Sequence, residues 1–405
     1  MSVAGLVDAG TRALLGQLLG RFEVGELELV VGDGSVRVGR GEPFVAVRWS
    51  TRATRRVLSA GLVGFGDGYV EGDWVVEQGS LRELLTLLLA NGVHHRVKTL
   101  VPRPAASVRG LARRFGDIRR LGARDARFHY DVDAEFYALW LDESMTYTCG
   151  FARTPTDSLA AMQANKLALV LDKLGVGPGQ RLLDLGCGWG SLAEAAARRG
   201  ASVTAVNVSE RQLDWIRASG RIAGLDVNLR LADFRDIEGQ FDRVTAIGIA
   251  EHVGQAHLTD LFSTVAGRLR DGGLALVHTI GDAVRGEVDP WIERRIFPGS
   301  YVPALSELVV AAEANCLRVC HIENLGRHYA LTLEHWRRRL VDAREPIEAR
   351  YGAATFRAWE LYLTGLVPAF ERLSTSLFQL VLSKGEAANP ELGLRTHFAD
   401  DRVCS

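Results

Sequence analysis

The stretch RLLDLGCGWG, residues 181–190, decides the fold prediction for this chain. Its first half, RLLDL, is mostly apolar and is typical of a strand buried in a parallel sheet. Glycines follow at positions 186, 188 and 190, where a backbone can turn sharply and approach a ligand without interference from a Cβ atom. The spacing differs from the G-x-G-x-x-G dinucleotide fingerprint, and a tight turn without a ligand is the alternative. Because the loop joins a strand to a helix, we predict that Asp184, Gly186 and Gly188 line a cofactor site.

Strands and helices alternate on both sides of this loop. The apolar pattern predicts a helix at residues 158–175 and strands at 201–209 and 241–254. It then predicts a helix at 258–273 and a further strand at 274–281. This alternation favours an α/β fold with a doubly wound parallel sheet. An apolar run in the segment 241–254 leads directly into Glu251. This raises the question of what the carboxylate binds, because a buried carboxylate needs a partner.

The sequence predicts that the whole chain has four parts. Residues 1–95 predict a small α+β domain, with a hairpin around residues 32–34 and a helix N-capped by Ser80. Residues 96–127 carry ten Lys and Arg against two Asp and predict a basic linker. The doubly wound domain spans 128–385 and is mostly helical after about 333, and residues 386–405 form a C-terminal tail.

Composition excludes several classes of protein. The formal net charge of −1 gives no global field that would favour nucleic acid. The five cysteines form no metal-binding pattern, and their odd number suggests free thiols in a reducing cytoplasm. The N-terminal segment predicts an amphipathic helix but lacks the basic start of a signal peptide, and the chain has no run of about 18 apolar residues that would span a bilayer.

Three later segments fit one cofactor. The loop at 181–190 resembles motif I of the class I S-adenosylmethionine-dependent methyltransferases, which have a Rossmann-like sheet. In that resemblance the segment AVNVSERQ (205–212) supplies Asn207 and Gln212 to adenosine, and LADF (231–234) supplies Asp233 to the adenine amino group and Phe234 as a stacking face. The segment EHVG (251–254) then lies where the methyl donor faces its acceptor.

A narrower resemblance rests on six motifs in order. These are HYDVDAEFYALWLDESMTYTCGF (129–151), LLDLGCGWG (182–190), EHVG (251–254), VHTIG (277–281), IFPGSYVPALSE (296–307) and HYALTL (328–333). Together they closely resemble the cyclopropane fatty acid synthase family over roughly residues 125–385. The residues 64–74, GFGDGYVEGDW, resemble the additional N-terminal domain of the phospholipid-acting branch.

The resemblance implies a methyl transfer to an alkene. A cis double bond takes the sulfonium methyl through its π electrons and leaves a carbocation, and ring closure then requires a base beside the new methyl. In the family that base is a bound bicarbonate ion. Its ligands match Cys149 and Ile280 through backbone N–H groups, His278 and Tyr329 through side chains, and Glu251 as the acceptor of the bicarbonate proton.

Further assignments follow from the same resemblance. Donor contacts also match Tyr147 and Thr148, whereas His252 is expected to be structural and turned away. Asn207 replaces the family's usual threonine, and Ala250 replaces a phenylalanine, which we expect to widen the acyl pocket. Two or three aromatic residues are expected to line the acyl channel, from the set Tyr130, Phe136, Tyr137, Trp140, Tyr147, Phe297 and Tyr301.

The expected substrate is an unsaturated phospholipid acyl chain at a membrane surface. The basic linker would bind an anionic surface at about 1 kcal/mol per close charge, or would simply be a solvated linker. We therefore predict a cytoplasmic protein, peripherally associated with the inner face of the membrane, and by resemblance a homodimer. The alternatives are a methylene- or methyl-branched product from the same carbocation, a non-catalytic lipid-binding protein, and a generic O- or N-methyltransferase.

Overall fold

The structure is a computed structural model that describes residues 3–100, 133–283 and 288–385. The predicted C-terminal tail, and all of the basic linker beyond Leu100, lie outside the described residues. The first range holds the elements α1 (Val3–Leu19), β1 (Glu26–Val31), β2 (Gly34–Gly39), β3 (Phe44–Trp49), α2 (Thr51–Val70), β4 (Trp74–Gln78), α3 (Leu81–Ala90) and α4 (Val93–Leu100).

The second and third ranges continue the chain. Residues 133–283 hold α5 (Ala134–Ala138), α6 (Leu159–Leu174), β5 (Arg181–Leu185), α7 (Ser191–Arg198), β6 (Ser202–Asn207), α8 (Glu210–Ala218), β7 (Val227–Leu231), β8 (Phe241–Ile247), α9 (Ala250–Val253), α10 (Leu258–Arg268) and β9 (Leu269–Gly281). Residues 288–385 hold α11 (Pro290–Arg295), α12 (Leu305–Ala314), β10 (Leu317–Asn324), α13 (Gly326–Asp342), α14 (Arg344–Tyr351), α15 (Ala353–Glu371) and β11 (Ser376–Lys384).

Two compact units divide the described chain. Unit 1 contains residues 3–100, 289–298 and 336–372, and unit 2 contains 133–283, 299–335 and 373–385, with Val288. The boundaries predicted from the sequence differ from this division, because they assigned the segments 289–298 and 336–372 to the doubly wound domain. Their membership is set by tertiary contacts, which a linear pattern does not reveal.

Unit 2 is built on a seven-stranded sheet with the order β10-β11-β9-β8-β5-β6-β7. Strands β5 to β9 pair in parallel, whereas β11 pairs antiparallel with both β9 and β10. Alternate residues face two cores: Leu183 and Leu185 of β5 point into one, and Leu182 points into the other. This confirms the predicted α/β Rossmann-like sheet and the helical C-terminal region, although β10 and β11 were not predicted.

The glycines of the loop after β5 adopt the conformation that the sequence argument requires. Gly186, Gly188 and Gly190 have φ values of 70°, 53° and 84°, in the left-handed region that a residue with a Cβ atom rarely occupies. Helix α7 begins directly after them, at Ser191. The loop therefore lies at the carboxyl end of β5, where ligands of such sheets bind.

Unit 1 contains a four-stranded sheet of order β2-β1-β3-β4. The predicted hairpin is present as the antiparallel pair β1 and β2, and the third strand β3 pairs in parallel with β1. Helix α3 begins as predicted after Ser80, whose side chain accepts a hydrogen bond from the Glu83 backbone N–H. The Asp67 carboxylate of α2 accepts hydrogen bonds from the Trp291 Nε1 at 3.1 Å and from the Arg295 Nε and Nη2 at 2.9 Å each, which ties α11 to α2.

No helix in the described ranges is both long enough and apolar enough to cross a bilayer.

Candidate active site

A cavity of about 130 Å³ opens at the carboxyl ends of the parallel strands of unit 2. Eight of the nine residues predicted to bind the methyl donor line it: Tyr147, Thr148, Asp184, Gly186, Gly188, Asn207, Gln212 and Phe234. Segments far apart in the sequence thus meet in one cleft, as the topology of a doubly wound sheet requires.

Asn207 and Gln212 form a buried pair on one wall of this cavity. The Asn207 Nδ2 donates to the Gln212 Oε1 at 2.8 Å and to the Gly188 carbonyl at 3.1 Å. The Gln212 Nε2 is buried and has no hydrogen-bond partner among the described residues. Because an unsatisfied buried donor costs about 1–3 kcal/mol, this amide is placed to donate to a bound ligand.

Asp184, the acidic residue of strand β5, lines the cavity and is 2% exposed. Burial raises the pKa of its carboxyl to about 6, and the hydrogen bond from the Thr245 hydroxyl at 2.8 Å and the charge of Lys166 oppose that rise. A buried carboxylate at this place provides negative charge for a cationic ligand group.

Asp233 is the predicted donor-binding residue that does not line the cavity. Its carboxylate accepts two hydrogen bonds from the Arg235 guanidinium, each at 2.7 Å, while the Arg235 guanidinium also lies 5.1 Å from the centre of the Phe234 ring. The assignment of Asp233 to the adenine amino group stays a prediction.

Glu251 lies on the short helix α9 and not at the end of a strand, which corrects the prediction for residues 241–254. Strand β8 ends at Ile247, and Gly248 follows with a φ of 68°. The Glu251 Oε2 accepts a hydrogen bond from the Thr279 hydroxyl at 2.7 Å, and the Ile280 backbone N–H also donates to this carboxylate. Burial nevertheless raises the pKa of Glu251 to about 7.

Ile280 therefore has a different contact from the predicted one, since its N–H holds the Glu251 carboxylate in this structure. Gly248 lies between Thr148, which lines the cavity, and Glu251. A β-carbon placed on Gly248 would lie 3.3 Å from the Thr148 Cγ2 and 4.0 Å from the Glu251 Oε1. A larger residue at position 248 would therefore narrow the passage between the donor cavity and Glu251.

His278 of β9 is 1% exposed and neutral. Burial lowers the pKa of its imidazole well below the ordinary value, and the charges of Lys166 and Lys173 add to this effect. Its Nδ1 lies 3.0 Å from the Gln379 Nε2 of β11. Its Nε2 is buried without a hydrogen-bond partner among the described residues, so it is available to a ligand.

Cys149 and Tyr329 both lie beside the beginning of α13. The Cys149 Sγ is 3.9 Å from the Leu325 carbonyl, to which the Tyr329 backbone N–H donates at 3.0 Å. Burial raises the pKa of the Cys149 thiol, so the sulfur stays protonated at neutral pH and is no nucleophile. The predicted contact of the Cys149 backbone N–H with an anion stays a prediction.

Sequence reasoning missed Lys166, which lines the donor cavity although it is only 2% exposed. Burial lowers the pKa of its ammonium group to about 8, against the attraction of Cys149, Asp142 and Asp184. The signal was available, because Lys166 occupies the same apolar face of α6 as Met162 and Leu169. His252 also lines the cavity, whereas the sequence predicted a structural residue turned away from it.

The other predicted residues fall into different places. Phe136, Tyr137 and Trp140 are fully buried core residues, and Tyr147 packs on Tyr137 and Trp140 at 5.3 Å between ring centres. The Tyr301 backbone N–H donates to the Glu251 carbonyl at 2.8 Å. Phe297 packs on Tyr362 within unit 1, Tyr130 lies outside the described residues, and Ala250 is buried in a core of unit 2.

The sheet, the glycine loop and the lined cavity define a class I S-adenosylmethionine-dependent methyltransferase. Comparison with known proteins narrows this class: the family model described as mycolic acid cyclopropane synthetase matches residues 119–380. The chain therefore belongs to the cyclopropane synthase family.

Individual relatives agree with this family. A probable fatty acid methyltransferase of Pseudomonas putida is 37% identical over 277 residues, which cover 66% of this chain and 70% of the relative. The cyclopropane-fatty-acyl-phospholipid synthase of Escherichia coli strain K12 is 32% identical over 335 residues, which cover 82% and 85%. The crystal structure of mycolic acid cyclopropane synthase CmaA1 complexed with SAH and CTAB matches with a TM-score of 0.61 and 27% identity, over 65% of this chain and 98% of that one.

Proposed function

We propose that this protein transfers the methyl group of S-adenosylmethionine to a cis double bond of an unsaturated phospholipid acyl chain and closes a cyclopropane ring. The observation that carries the proposal is the junction at Gly248, where a carboxylate with a pKa of about 7 adjoins the donor cavity. An isolated alkene has no proton to lose before it attacks the methyl donor, so this reaction needs a base only after methyl transfer, to take a proton from the new methyl group.

The donor would bind with its adenosine near Asn207, Gln212 and Phe234 and its methionine near Thr148 and Asp184. The unpaired Gln212 Nε2 provides a hydrogen bond to the donor, and the Asp184 carboxylate provides a counter-charge for its ammonium group. The glycines at 186 and 188 let the backbone approach the donor closely. These residues would hold the donor in the cavity that Gly248 also lines.

The residues around His278 fit a small oxyanion such as bicarbonate. The unpaired buried Nε2 of His278 supports this fit, and the backbone N–H of Cys149 and the hydroxyl of Tyr329 complete the proposed set. When bound, bicarbonate would supply the base that takes a proton from the new methyl group. Glu251, held by Thr279 and Ile280, would accept the proton of that ion.

Unit 1 supports a lipid substrate. Its helices and sheet enclose an apolar cavity of about 290 Å³, lined among others by Leu18, Leu29, Phe65, Leu88 and Leu366. We propose that this cavity holds an apolar part of the lipid, while peripheral attachment to the inner face of the membrane brings the protein to its substrate. The homodimer stays a prediction, as does a contribution of the basic residues 101–127, which lie outside the described ranges.

The product of a labelled reaction tests this function. Vesicles of a cis-unsaturated phospholipid are incubated with the protein and a donor that carries a trideuterated methyl group, and the purified fatty ester is analysed by mass spectrometry and proton NMR. A ring requires two retained deuteriums, high-field ring protons and no alkene signal. Vinyl protons or three retained deuteriums would show a branched product, while absence of any transfer would favour a lipid-binding role.

A further inference from the structure

Three polar side chains form a row across β10, β11 and β9, the three strands at one edge of the sheet of unit 2. Gln379 of β11 is paired in register with Glu323 of β10 on one side and with His278 of β9 on the other. Directly opposed residues on neighbouring strands project to the same face of a sheet, so the three side chains are neighbours. Gln379 and His278 are 0% and 1% exposed, which is rare for polar groups without a defined set of partners.

The Lys173 side chain of α6 contacts two members of this row, Gln379 and Glu323. Its Nζ donates to the Gln379 Oε1 at 2.7 Å and also contacts the Glu323 carboxylate. An ammonium group has donors and no acceptor, so the amide oxygen of Gln379 must be the atom that faces Lys173. The amide nitrogen therefore faces His278, and the orientation of the amide is determined by the charge beside it.

The orientation of Gln379 in turn selects the tautomer of His278. The Gln379 Nε2 is a donor and lies 3.0 Å from the His278 Nδ1, which must therefore present its lone pair. Since the imidazole is neutral, its proton resides on Nε2. That Nε2–H is buried and meets no acceptor in the described part of the chain.

We propose that Lys173 and Gln379 are positioning residues that hold His278 as its Nε2–H tautomer, so that this N–H is presented to a small oxyanion of the carbonate class. The inference rests on the proposed function for the identity of the oxyanion. We call the two contacts, from Lys173 to Gln379 and from Gln379 to His278, the relay. The relay explains why Lys173 and Gln379, which are far apart in the sequence, are buried together next to His278.

The variant Gln379→Glu reverses the direction of the hydrogen bond between residue 379 and the His278 Nδ1, and it leaves the shape of the side chain almost unchanged. A carboxylate only accepts hydrogen bonds, so it accepts from Lys173 and requires a proton on the His278 Nδ1. We expect the Nδ1–H tautomer of His278 and a fall in the rate of methyl transfer of roughly 10²–10³, the cost of removing one hydrogen-bond donor from an oxyanion site. Calorimetric affinity for S-adenosylmethionine should stay within about threefold, because the donor contacts are intact.

The tautomer is read directly from two-bond proton–nitrogen correlations of protein with ¹⁵N-labelled histidine, in the absence of any ligand. The signal of His278 is identified by its loss in His278→Gln. An Nε2–H signal that persists in Gln379→Glu overturns the proposal, and so does a switched tautomer with an unchanged rate. Ser383→Ala, a buried change on the same strand outside the row, is the matched control and should retain both tautomer and rate.

A second pair of variants decides the matter if Gln379→Glu does not fold. Lys173→Arg retains a donor-only cation and should keep the Nε2–H tautomer, whereas Lys173→Met frees the Gln379 amide to rotate and should give a mixture. Equal tautomer populations in the two variants overturn the relay. The tautomer signal does not depend on the product, so a branched product would refute the proposed ring closure while leaving the relay intact.

Discussion

The replacement of Thr279 by valine tests how the protein tunes Glu251. The Thr279 hydroxyl donates to the Glu251 carboxylate at 2.7 Å and therefore stabilises the ionised form. A hydrogen bond to a charged group contributes about 1.5–3 kcal/mol, and 1.36 kcal/mol corresponds to one pKa unit. Removing the hydroxyl should thus raise the pKa of Glu251 from about 7 to about 8–9.

The consequence is a displaced pH profile. If Glu251 must be ionised to accept a proton, activity rises with pH through its pKa, and the variant's profile moves to higher pH. At pH 7 the ionised fraction would fall from about one half to between about one tenth and one hundredth, so the rate should fall roughly 5–50-fold. Near pH 9.5 most of the rate should return.

Initial rates of methyl transfer between pH 6 and pH 9.5, with saturating donor and lipid vesicles, measure this shift. Thr279→Ser loses the γ-methyl but retains the hydroxyl, so it should reproduce the original profile and show that the shift depends on the hydroxyl and not on altered packing. A Thr279→Val profile that coincides with the original, or that is lowered equally at every pH, would refute the tuning of Glu251 by this hydrogen bond.

Three further predictions concern single residues. Glu251→Gln should leave the calorimetric affinity for S-adenosylmethionine nearly intact and reduce turnover by roughly 10²–10⁴; an unchanged turnover would contradict its role. Asn207→Ala removes the contacts with Gln212 and Gly188, so the donor Kd should rise about tenfold while turnover at saturating donor persists; loss of turnover alone would count against it. In Gly66→Ala the new β-carbon would lie 2.4 Å from the Trp291 ring. This clash should reduce the free energy of unfolding by about 1–3 kcal/mol. An unchanged thermal midpoint would show that the packing around Gly66 is loose.

The strand, glycine loop and helix at the centre of unit 2 were predicted correctly from the sequence, because the patterns that indicate them are local. The apolar strand β5, the positive-φ glycines after it and helix α7 are adjacent in the chain, so pattern and turn chemistry agree. Eight of the nine residues predicted to bind the donor line one cavity, and their donor-binding roles stay a prediction. Asp233 is the exception, since nothing in the sequence indicates that its carboxylate pairs with Arg235 two positions later.

Other features were not predictable for physical reasons. The run before Glu251 continues the apolar pattern of β8, and only the positive φ of Gly248 ends the strand. Strand β11 is buried on both faces, so it lacks the alternation that distinguishes a strand from a helix. Lys166 and Lys173 were visible as charges on the apolar face of α6, but their partners come from distant strands.

The position of β11 in the sheet has a consequence for the order in which the protein can fold. This strand is the last of the described elements in the chain, yet it lies between β9 and β10 and pairs with both. During synthesis, one edge of β9 stays unpaired until residues 282–375 and then β11 have been made. The helices α13 to α15 are therefore made before β11 can pair with β9. Contacts between such distant segments form slowly, because the entropy of closing a long loop is lost before they stabilise the chain. Since Gln379 arrives with β11, His278 gains its contact with the Gln379 amide only in this final step, after the glycine loop that follows β5 has been made.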